Sequence, residues 1–211
     1  MIVDASQTVG YMPIWMQDSG IDALASAGHK GLGALAGTGF LIATPEIQAD
    51  LRPLMFGGTG SASEQLDFVP KWPQSIEVGN VNLPGIVSMA AAADVWLQDD
   101  GAAMLSWRKA LEHLVRGIQR MPKADQLRLI GHAEVTEKDK AEEADAALQW
   151  LPIVSLELKD WDIHEASAVL DANFGLETRA GYHCAALIHA ALGTHSAGGT
   201  LRFSLSHHTS L

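Results

Sequence analysis

Short apolar runs separated by glycine and polar residues occupy the first part of the chain. Three of these runs have the length and composition of buried strands. They lie at residues 1–3, 20–25 and 38–43. The second and third runs are separated by a glycine-rich stretch containing Lys30, which places this lysine on a loop at a strand end. Thr44 has the chemistry of a helix N-cap and Pro45 that of a first helical residue, so a short helix is expected to about residue 52.

The middle of the chain changes from a loop pattern to a helical pattern. Residues 57–83 are rich in Gly, Ser, Pro and Asn without sustained periodicity, which is typical of a functional or interface loop. From Pro84 onwards apolar residues recur at helical spacing, pause near residues 99–101 and resume as far as Ile118. We expect two subdomains to join in this helical region.

The remainder of the chain has the pattern of a small mixed α/β unit. Strand patterns lie at residues 127–130, 151–158, 176–179 and 201–205, and helix patterns at about 163–174 and 184–192. Residues 134–147 are rich in Glu, Lys, Asp and Ala and are interpreted as a solvated charged turn or helix. The predicted fold class is α/β, with one domain over residues 1–95 and a second over residues 96–211.

Composition narrows the class of protein. With 211 residues, of which 47% are hydrophobic and 18% charged, the chain has the profile of a soluble globular protein with a sizeable core. A formal net charge of -11 argues against a nucleic-acid partner, because phosphate binding requires clustered Lys and Arg. No apolar run reaches the roughly 18 residues needed to span a bilayer, and the N-terminus is not that of a signal peptide. We therefore expect no membrane partner and a cytoplasmic location.

Two segments of the first domain contain residues suited to one chemistry. Residues 4–7 read Asp-Ala-Ser-Gln at the end of a predicted strand, and residues 27–32 read Ala-Gly-His-Lys-Gly-Leu at the end of the next. Separately, each is weak evidence, since an Asp at a strand end is usually a turn or cap residue. Together they resemble the cofactor signature of the class V aminotransferases.

The resemblance implies pyridoxal 5'-phosphate as the cofactor. It assigns Asp4 to the protonated pyridine nitrogen, Gln7 to the ring oxygen and Lys30 to the Schiff base with the cofactor. His29 is placed within reach of both cofactor phosphate and substrate, and is therefore a candidate for a catalytic and a cofactor-binding role. These roles match the residue types, because a carboxylate beside the ring nitrogen keeps the ring an electron sink.

A second segment carries the candidate sulfur chemistry. Residues 179–185 read Arg-Ala-Gly-Tyr-His-Cys-Ala and include the single cysteine, Cys184. A lone cysteine cannot form an internal disulfide, so it is either a small buried residue or a reactive thiol. The segment resembles the Arg-x-Gly-x-x-Cys loop of cysteine desulfurases, which implies that Cys184 accepts the substrate sulfur. Arg202 and Arg179 are then the substrate-binding residues, because a guanidinium can bind a carboxylate in a bidentate manner.

The resemblance extends to two further loops, at residues 57–61 and 77–82, which family members use at a dimer interface. Two positions depart from the family pattern. Ala27 stands where the family has a hydroxyl residue before Gly-His-Lys, and Asn80 stands where the family has a Thr. Both family residues usually hydrogen-bond the cofactor phosphate, so Ala27 can contribute only its backbone N–H, whereas Asn80 keeps a side-chain donor and remains a candidate cofactor ligand.

The family comparison also implies that this chain is the C-terminal portion of a longer architecture. Residues 1–95 would be the last part of the large domain of fold type I, with the strands bearing Asp4 and Lys30, and residues 96–211 a small mixed α/β domain. The large-domain strands would form a three-stranded remnant with uncovered apolar faces. The expected partners are L-cysteine or a related amino acid, a second copy or a chain that supplies the missing segment, and a sulfur-acceptor protein.

Three functions remain open at this point. The first is cysteine desulfuration to alanine with Cys184 as a persulfide, with little activity expected from the chain alone. Another class V activity, such as selenocysteine lyase or aminotransferase, would use the same Lys30, Asp4 and Arg202. The third is a noncatalytic or partner-dependent subunit. A metal site is not expected, because no pair of the nine histidines has a recognised zinc-ligand spacing.

Overall fold

The computed structural model describes residues 1–58, 71–131, 151–206 and 208–209. The charged stretch at residues 134–147 and the glycine-rich residues 59–61 lie outside the described residues. Two compact units divide the chain, Met1–Asp100 and Gly101–Leu211. Each unit is described by itself below.

A three-stranded sheet forms the centre of the first unit. Its strands are β1 (Ile2–Asp4), β2 (Ala23–Ala27) and β3 (Gly39–Ala43), in the order β1-β2-β3. β1 runs parallel to β2, with Asp4 opposite Ala25, and β3 runs antiparallel to β2. Because β1 and β2 are parallel, the residues that follow both strands lie at the same edge of the sheet. A three-stranded sheet, as predicted for this part of the chain, is therefore present.

The predicted second strand was misplaced along the chain. The apolar pattern favoured residues 20–25, but Gly20 has φ +64° and the strand runs from Ala23 to Ala27. The pairing of Ile2 with Ala23 fixes this start. Ile21 and Leu24 are nevertheless buried, and they form the core of this unit with Ala5. The partly buried side chains packed against that core are Val3, Val9, Ile14, Met16 and Phe40.

Two helices follow the sheet in the first unit, α1 (Pro45–Asp50) and α2 (Leu83–Gln98). Helix α1 begins at Pro45 as predicted, but the side chain of Thr44 makes no capping hydrogen bond. The Thr44 Oγ1 is instead buried without a partner among the described residues. Asn82 caps α2 by accepting a hydrogen bond of 3.2 Å from the N–H of Gly85, which satisfies one of the unpaired donors of the first turn.

The second unit begins with helix α3 (Ala102–Gln119), whose apolar stripe faces the core. One face of α3 is buried, and its members recur at helical spacing. These residues are Trp107, Ala110, Leu111, Val115 and Ile118. A short 3₁₀ turn at Ala124–Gln126 leads from α3 into the sheet of this unit.

The sheet of the second unit has four antiparallel strands in the order β4-β5-β7-β6. They are β4 (Leu127–Ile130), β5 (Ile153–Leu158), β6 (Arg179–Gly181) and β7 (Thr200–Ser204), with helices α4 (Ile163–Phe174) and α5 (Ala186–Leu192). Val154, Leu156 and Leu201 on the two central strands are buried. These strands therefore build the sheet side of the core.

Two predicted boundaries in this unit were wrong. The strand expected at residues 176–179 lies at Arg179–Gly181, because Leu176 still donates its N–H to Leu170 in the turn that closes α4. The helix expected from Cys184 begins at Ala186, because Cys184 has φ +64° and cannot be part of a right-handed helix. Within the described ranges, no helix has both the length and the apolar character needed to cross a membrane.

Candidate active site

The first candidate cluster lies where β1 and β2 end. Asp4 is the last residue of β1, and Lys30 lies in the loop three residues after β2. Both side chains are exposed at this edge. The Ser6 hydroxyl is the main cause that lowers the pKa of Asp4, followed by the Ser6 N–H, while the positive charge of Lys30 adds a smaller contribution in the same direction. The edge thus brings an ionised carboxylate and an amine into electrostatic contact.

The loop that carries Lys30 is held by close backbone packing. Gly28 is buried and donates its N–H to the carbonyl of Thr38 at 2.9 Å. Gly31 lies against the backbone of Gly10, so closely that a Cβ on Gly10 would be 2.1 Å from the Gly31 carbonyl carbon. Gly10 also has φ +83°, which favours glycine. Glycine at both positions therefore lets the Lys30 loop contact the turn after β1.

The other predicted cofactor ligands of the first unit are exposed. Gln7 lies in the turn after β1, and His29 precedes Lys30 in its loop. Asn80 follows Gly79, whose N–H donates to the carbonyl of Gly58 at 2.7 Å. Among the described residues, no hydrogen bond joins Asn80 to Asp4 or Lys30. The structure therefore brings Asp4, Gln7, His29 and Lys30 to one edge and leaves the phosphate role of Asn80 a prediction.

Cys184 lies on an exposed turn between β6 and α5. Both His183 and Cys184 adopt positive φ, at 53° and 64°. Two consecutive non-glycine residues with positive φ are uncommon, and this backbone conformation persists only where neighbouring contacts hold it. The contacts of His183 and the arginines described below provide that support.

Two arginines lie beside the Cys184 turn. Arg179 of β6 is the direct cross-strand partner of Arg202 of β7, and the Arg179 Nη2 lies 3.8 Å from the Cys184 Sγ. Burial and the charge of Arg179 lower the pKa of Arg202, while Cys184 acts in the opposite direction. The Arg202 Nε is buried without a hydrogen-bond partner in the described part of the chain.

The arginine pair is suited to binding a planar anion. No carboxylate among the described residues forms an ion pair with either Arg179 or Arg202. Two adjacent like charges repel each other, and a bound carboxylate would relieve this repulsion through charge-assisted hydrogen bonds. An anion bound here would lie close to the Cys184 thiol.

His183 ties the Cys184 turn to β7. Its Nε2 lies 3.0 Å from the Thr200 carbonyl oxygen and 3.1 Å from the Thr200 Oγ1. Since a carbonyl can only accept, the Nε2 carries the proton in the bond to that oxygen. Burial and the neighbouring Arg202 lower the pKa of His183, which favours its neutral form. Sequence reasoning missed Thr200, which carries no motif signal. It also missed Ser6, although a serine two residues after an Asp is typical of a local turn.

Comparison with known proteins assigns the family. A family model for class-V aminotransferases matches residues 1–211. The chain belongs to this family. A protein of Methanothermobacter thermautotrophicus named "Probable cysteine desulfurase" is 30% identical, and the match covers 98% of this chain and 48% of that protein. The cysteine desulfurase CsdA of Escherichia coli is 27% identical over 98% of this chain and 46% of its own length. The chain thus spans about half the length of these curated relatives.

The fold agrees with a solved relative. The chain superimposes on the apo structure of a cysteine desulfurase from Thermococcus onnurineus with a TM-score of 0.83 and 24% sequence identity. The match covers 100% of this chain and 48% of the Thermococcus protein. This likeness establishes the α/β fold with its two sheets. The predicted family and the predicted partial coverage are both confirmed.

The sheet edge where β1 and β2 end fits pyridoxal phosphate, the cofactor on which this family depends. A pyridinium nitrogen needs an ionised carboxylate, and the pKa of Asp4 is lowered by the Ser6 hydroxyl. The Asp4 Oδ2 makes no hydrogen bond to a described residue, so this oxygen is open to a ligand. Lys30 offers an amine at the same edge. The residues present therefore match the carboxylate and amine that the cofactor requires.

Proposed function

We propose that this protein is a cysteine desulfurase-like member of its family, which converts L-cysteine to L-alanine and carries the released sulfur on Cys184. The observation that supports this most directly is the exposed Cys184 thiol beside Arg179 and Arg202, neither of which forms an ion pair with a carboxylate of the described residues. A thiol that must approach a substrate sulfur needs exposure, and a substrate carboxylate needs a guanidinium partner.

The proposed reaction balances without an external oxidant. The Cβ–S bond of cysteine breaks and an S–S bond forms between the substrate sulfur and the Cys184 Sγ, which gives a persulfide. The Cβ of the product gains a hydrogen and becomes the methyl group of alanine, while the Cys184 thiol gives up its proton. The two sulfurs of the persulfide are together oxidised by two electrons, and the same two electrons reduce the Cβ of the product.

In this proposal the first unit holds the cofactor. Asp4 would hold the ring nitrogen and Gln7 the ring oxygen, and Lys30 would offer its amine to the cofactor and move the Cα proton of the substrate. His29 and Asn80 are assigned to the cofactor, with His29 also close to the substrate. When bound, the cofactor supplies an electron sink that stabilises negative charge at the substrate carbons. Arg202 and Arg179 orient the substrate carboxylate, and Cys184 takes the sulfur.

Two measurements test the proposal. In the first, the chain is incubated with pyridoxal phosphate and reduced with borohydride, and peptide mass spectrometry should find the label on Lys30. Lys30→Ala should lose this label, whereas the control Lys71→Ala, at another exposed lysine, should keep the label on Lys30. Alanine release from cysteine should be low for the 211-residue chain and rise by orders of magnitude when the family's N-terminal segment is added in trans. Cys184→Ala should then abolish alanine release. Labelling at Lys71 but not Lys30, or full turnover by Cys184→Ala, would contradict the proposal.

A partner-dependent or noncatalytic subunit is a second candidate. It is favoured by large apolar side chains that are almost fully exposed, including Leu54 at 98%, Phe56 at 87% and Leu187 at 89%. Exposed apolar groups of this size often mark a surface that another chain covers. Lys30 labelling without alanine release in any assembled form would support this candidate over the first.

A further inference from the structure

One serine connects the ends of β1 and β2 at the candidate cofactor edge. The Ser6 Oγ donates a hydrogen bond of 2.5 Å to the Asp4 Oδ1 and accepts one of 3.2 Å from the N–H of Ala27. The Ser6 N–H also donates to the Asp4 Oδ1, at 2.9 Å. Ser6 is only half-buried, and its neighbour Ala5 is bonded to Ala25 across the same pair of strands at 2.8 Å. The Ser6 hydroxyl therefore links the carboxylate of Asp4 to Ala27, the residue at the end of β2 from which the Lys30 loop begins.

The hydrogen bonds divide the two oxygens of Asp4 into different roles. Both bonds from Ser6 reach Oδ1, and Oδ2 has no hydrogen-bond partner among the described residues. A carboxylate held at one oxygen loses rotational freedom about its last bond, so its second oxygen points in one direction before any ligand binds. The bond from the Ala27 N–H orients the Ser6 hydroxyl in turn, because it occupies one of the two oxygen lone pairs.

We propose that Ser6 is a positioning residue, which fixes Asp4 through Oδ1 and thereby presents Oδ2 to the protonated ring nitrogen of the cofactor. This inference rests on the proposed function and deepens it. Ser6 itself touches neither the reacting atoms nor the cofactor. Its role requires the hydroxyl, so Ser6→Thr keeps the role and Ser6→Ala removes it, although Ser6→Ala retains the backbone N–H bond to Oδ1.

The first test measures Asp4 directly in the chain without cofactor. The Asp4 side-chain carboxyl is titrated with pH by ¹³C NMR and assigned by its loss in Asp4→Asn. The titration midpoint should move to higher pH in Ser6→Ala, because the strongest of the bonds that favour the carboxylate is lost. It should stay close to the original value in Ser6→Thr and in the control Ser19→Ala, at an exposed serine elsewhere in the unit.

The second test measures binding of pyridoxal phosphate itself by its absorbance. Ser6→Ala should weaken binding roughly fivefold, the usual effect of losing one oriented hydrogen bond, and Ser6→Thr should restore it. An unchanged titration midpoint in Ser6→Ala, or a shifted one in Ser6→Thr with the same amide dispersion, would overturn the inference. So would equal cofactor affinity in the original chain and Ser6→Ala. Failure of the original chain to bind pyridoxal phosphate would count against the proposed function, and the NMR titration would still decide the role of Ser6.

Discussion

Substitution of Gly10 by alanine tests whether close packing holds the Lys30 loop. The added Cβ would lie 2.1 Å from the Gly31 carbonyl carbon, whereas ordinary contacts begin near 3.4 Å, so the backbone must separate by about 1.3 Å. Such overpacking costs about 1–3 kcal/mol. Alanine at φ +83° costs a further 1–2 kcal/mol or so. We expect Gly10→Ala to lower the free energy of unfolding by about 2–5 kcal/mol.

Gly33→Ala is a closely matched control. Gly33 has φ +82°, nearly the same as Gly10, but a Cβ there would meet no atom within 4 Å. It should therefore show only the conformational cost, about 1–2 kcal/mol. Urea unfolding followed by circular dichroism gives the free energy. Hydrogen exchange of the Ala5 N–H, which is bonded to the Ala25 carbonyl, localises the effect to the β1–β2 pair. Equal destabilisation by the two substitutions would refute the packing argument.

Three further predictions concern the second unit. Trp107→Ala removes a side chain that is 1% exposed and should cost about 3–5 kcal/mol in a thermal or urea unfolding experiment, whereas Leu105→Ala, at 56% exposure on the same helix, should cost far less. Asp162→Ala removes the cap that accepts two N–H bonds at the start of α4 and should cost about 1 kcal/mol, with Asp162→Asn close to the original; equal losses would contradict a capping role. The folded-state pKa of His183 lies below its ordinary value, mainly because of burial and then Arg202. As pH falls from about 6.5 through the folded-state pKa, the unfolded chain therefore binds more protons than the folded chain. The free energy of unfolding of the original chain should fall more steeply in this window than that of His183→Asn. Identical pH slopes would exclude this linkage.

The strands of the first unit could be predicted from the sequence because strand ends have local signals. The apolar runs before Asp4 and before Lys30 predicted two strands. The predicted bounds of the second strand began too early, at Gly20, whose positive φ places it outside the strand. The shift shows the limit of the apolar pattern: Ile21 and Leu24 are both buried, so burial continues from loop to strand without a change in hydrophobicity. Only the pairing of Ile2 with Ala23 distinguishes the two.

The Cys184 turn shows the same limit in a different form. The order of Arg, Gly, His and Cys in residues 179–185 was enough to single out the thiol as a candidate, and the structure shows it exposed. The contact between Arg179 and Cys184 and the bond from His183 to Thr200 could not be read from the sequence, since Thr200 is distant along the chain and has no motif of its own. The bond from His183 to Thr200 depends on the antiparallel pairing of β6 with β7.

The sequence by itself determined the family, the α/β class, most helix and strand positions and the residue types that chemistry requires, because each of these depends on local composition, periodicity and the order of motifs. Tertiary structure decided which atoms meet. The parallel pairing of β1 with β2 brings Asp4 and Lys30 to one edge of the sheet. The contact of Gly10 with Gly31 holds the Lys30 loop against the turn after β1. The Ser6 hydroxyl selects one oxygen of Asp4. The pairing of β1 with β2 and the contact of Gly10 with Gly31 join residues more than twenty positions apart, and their geometry is fixed by strand register and packing rather than by any local preference of the chain.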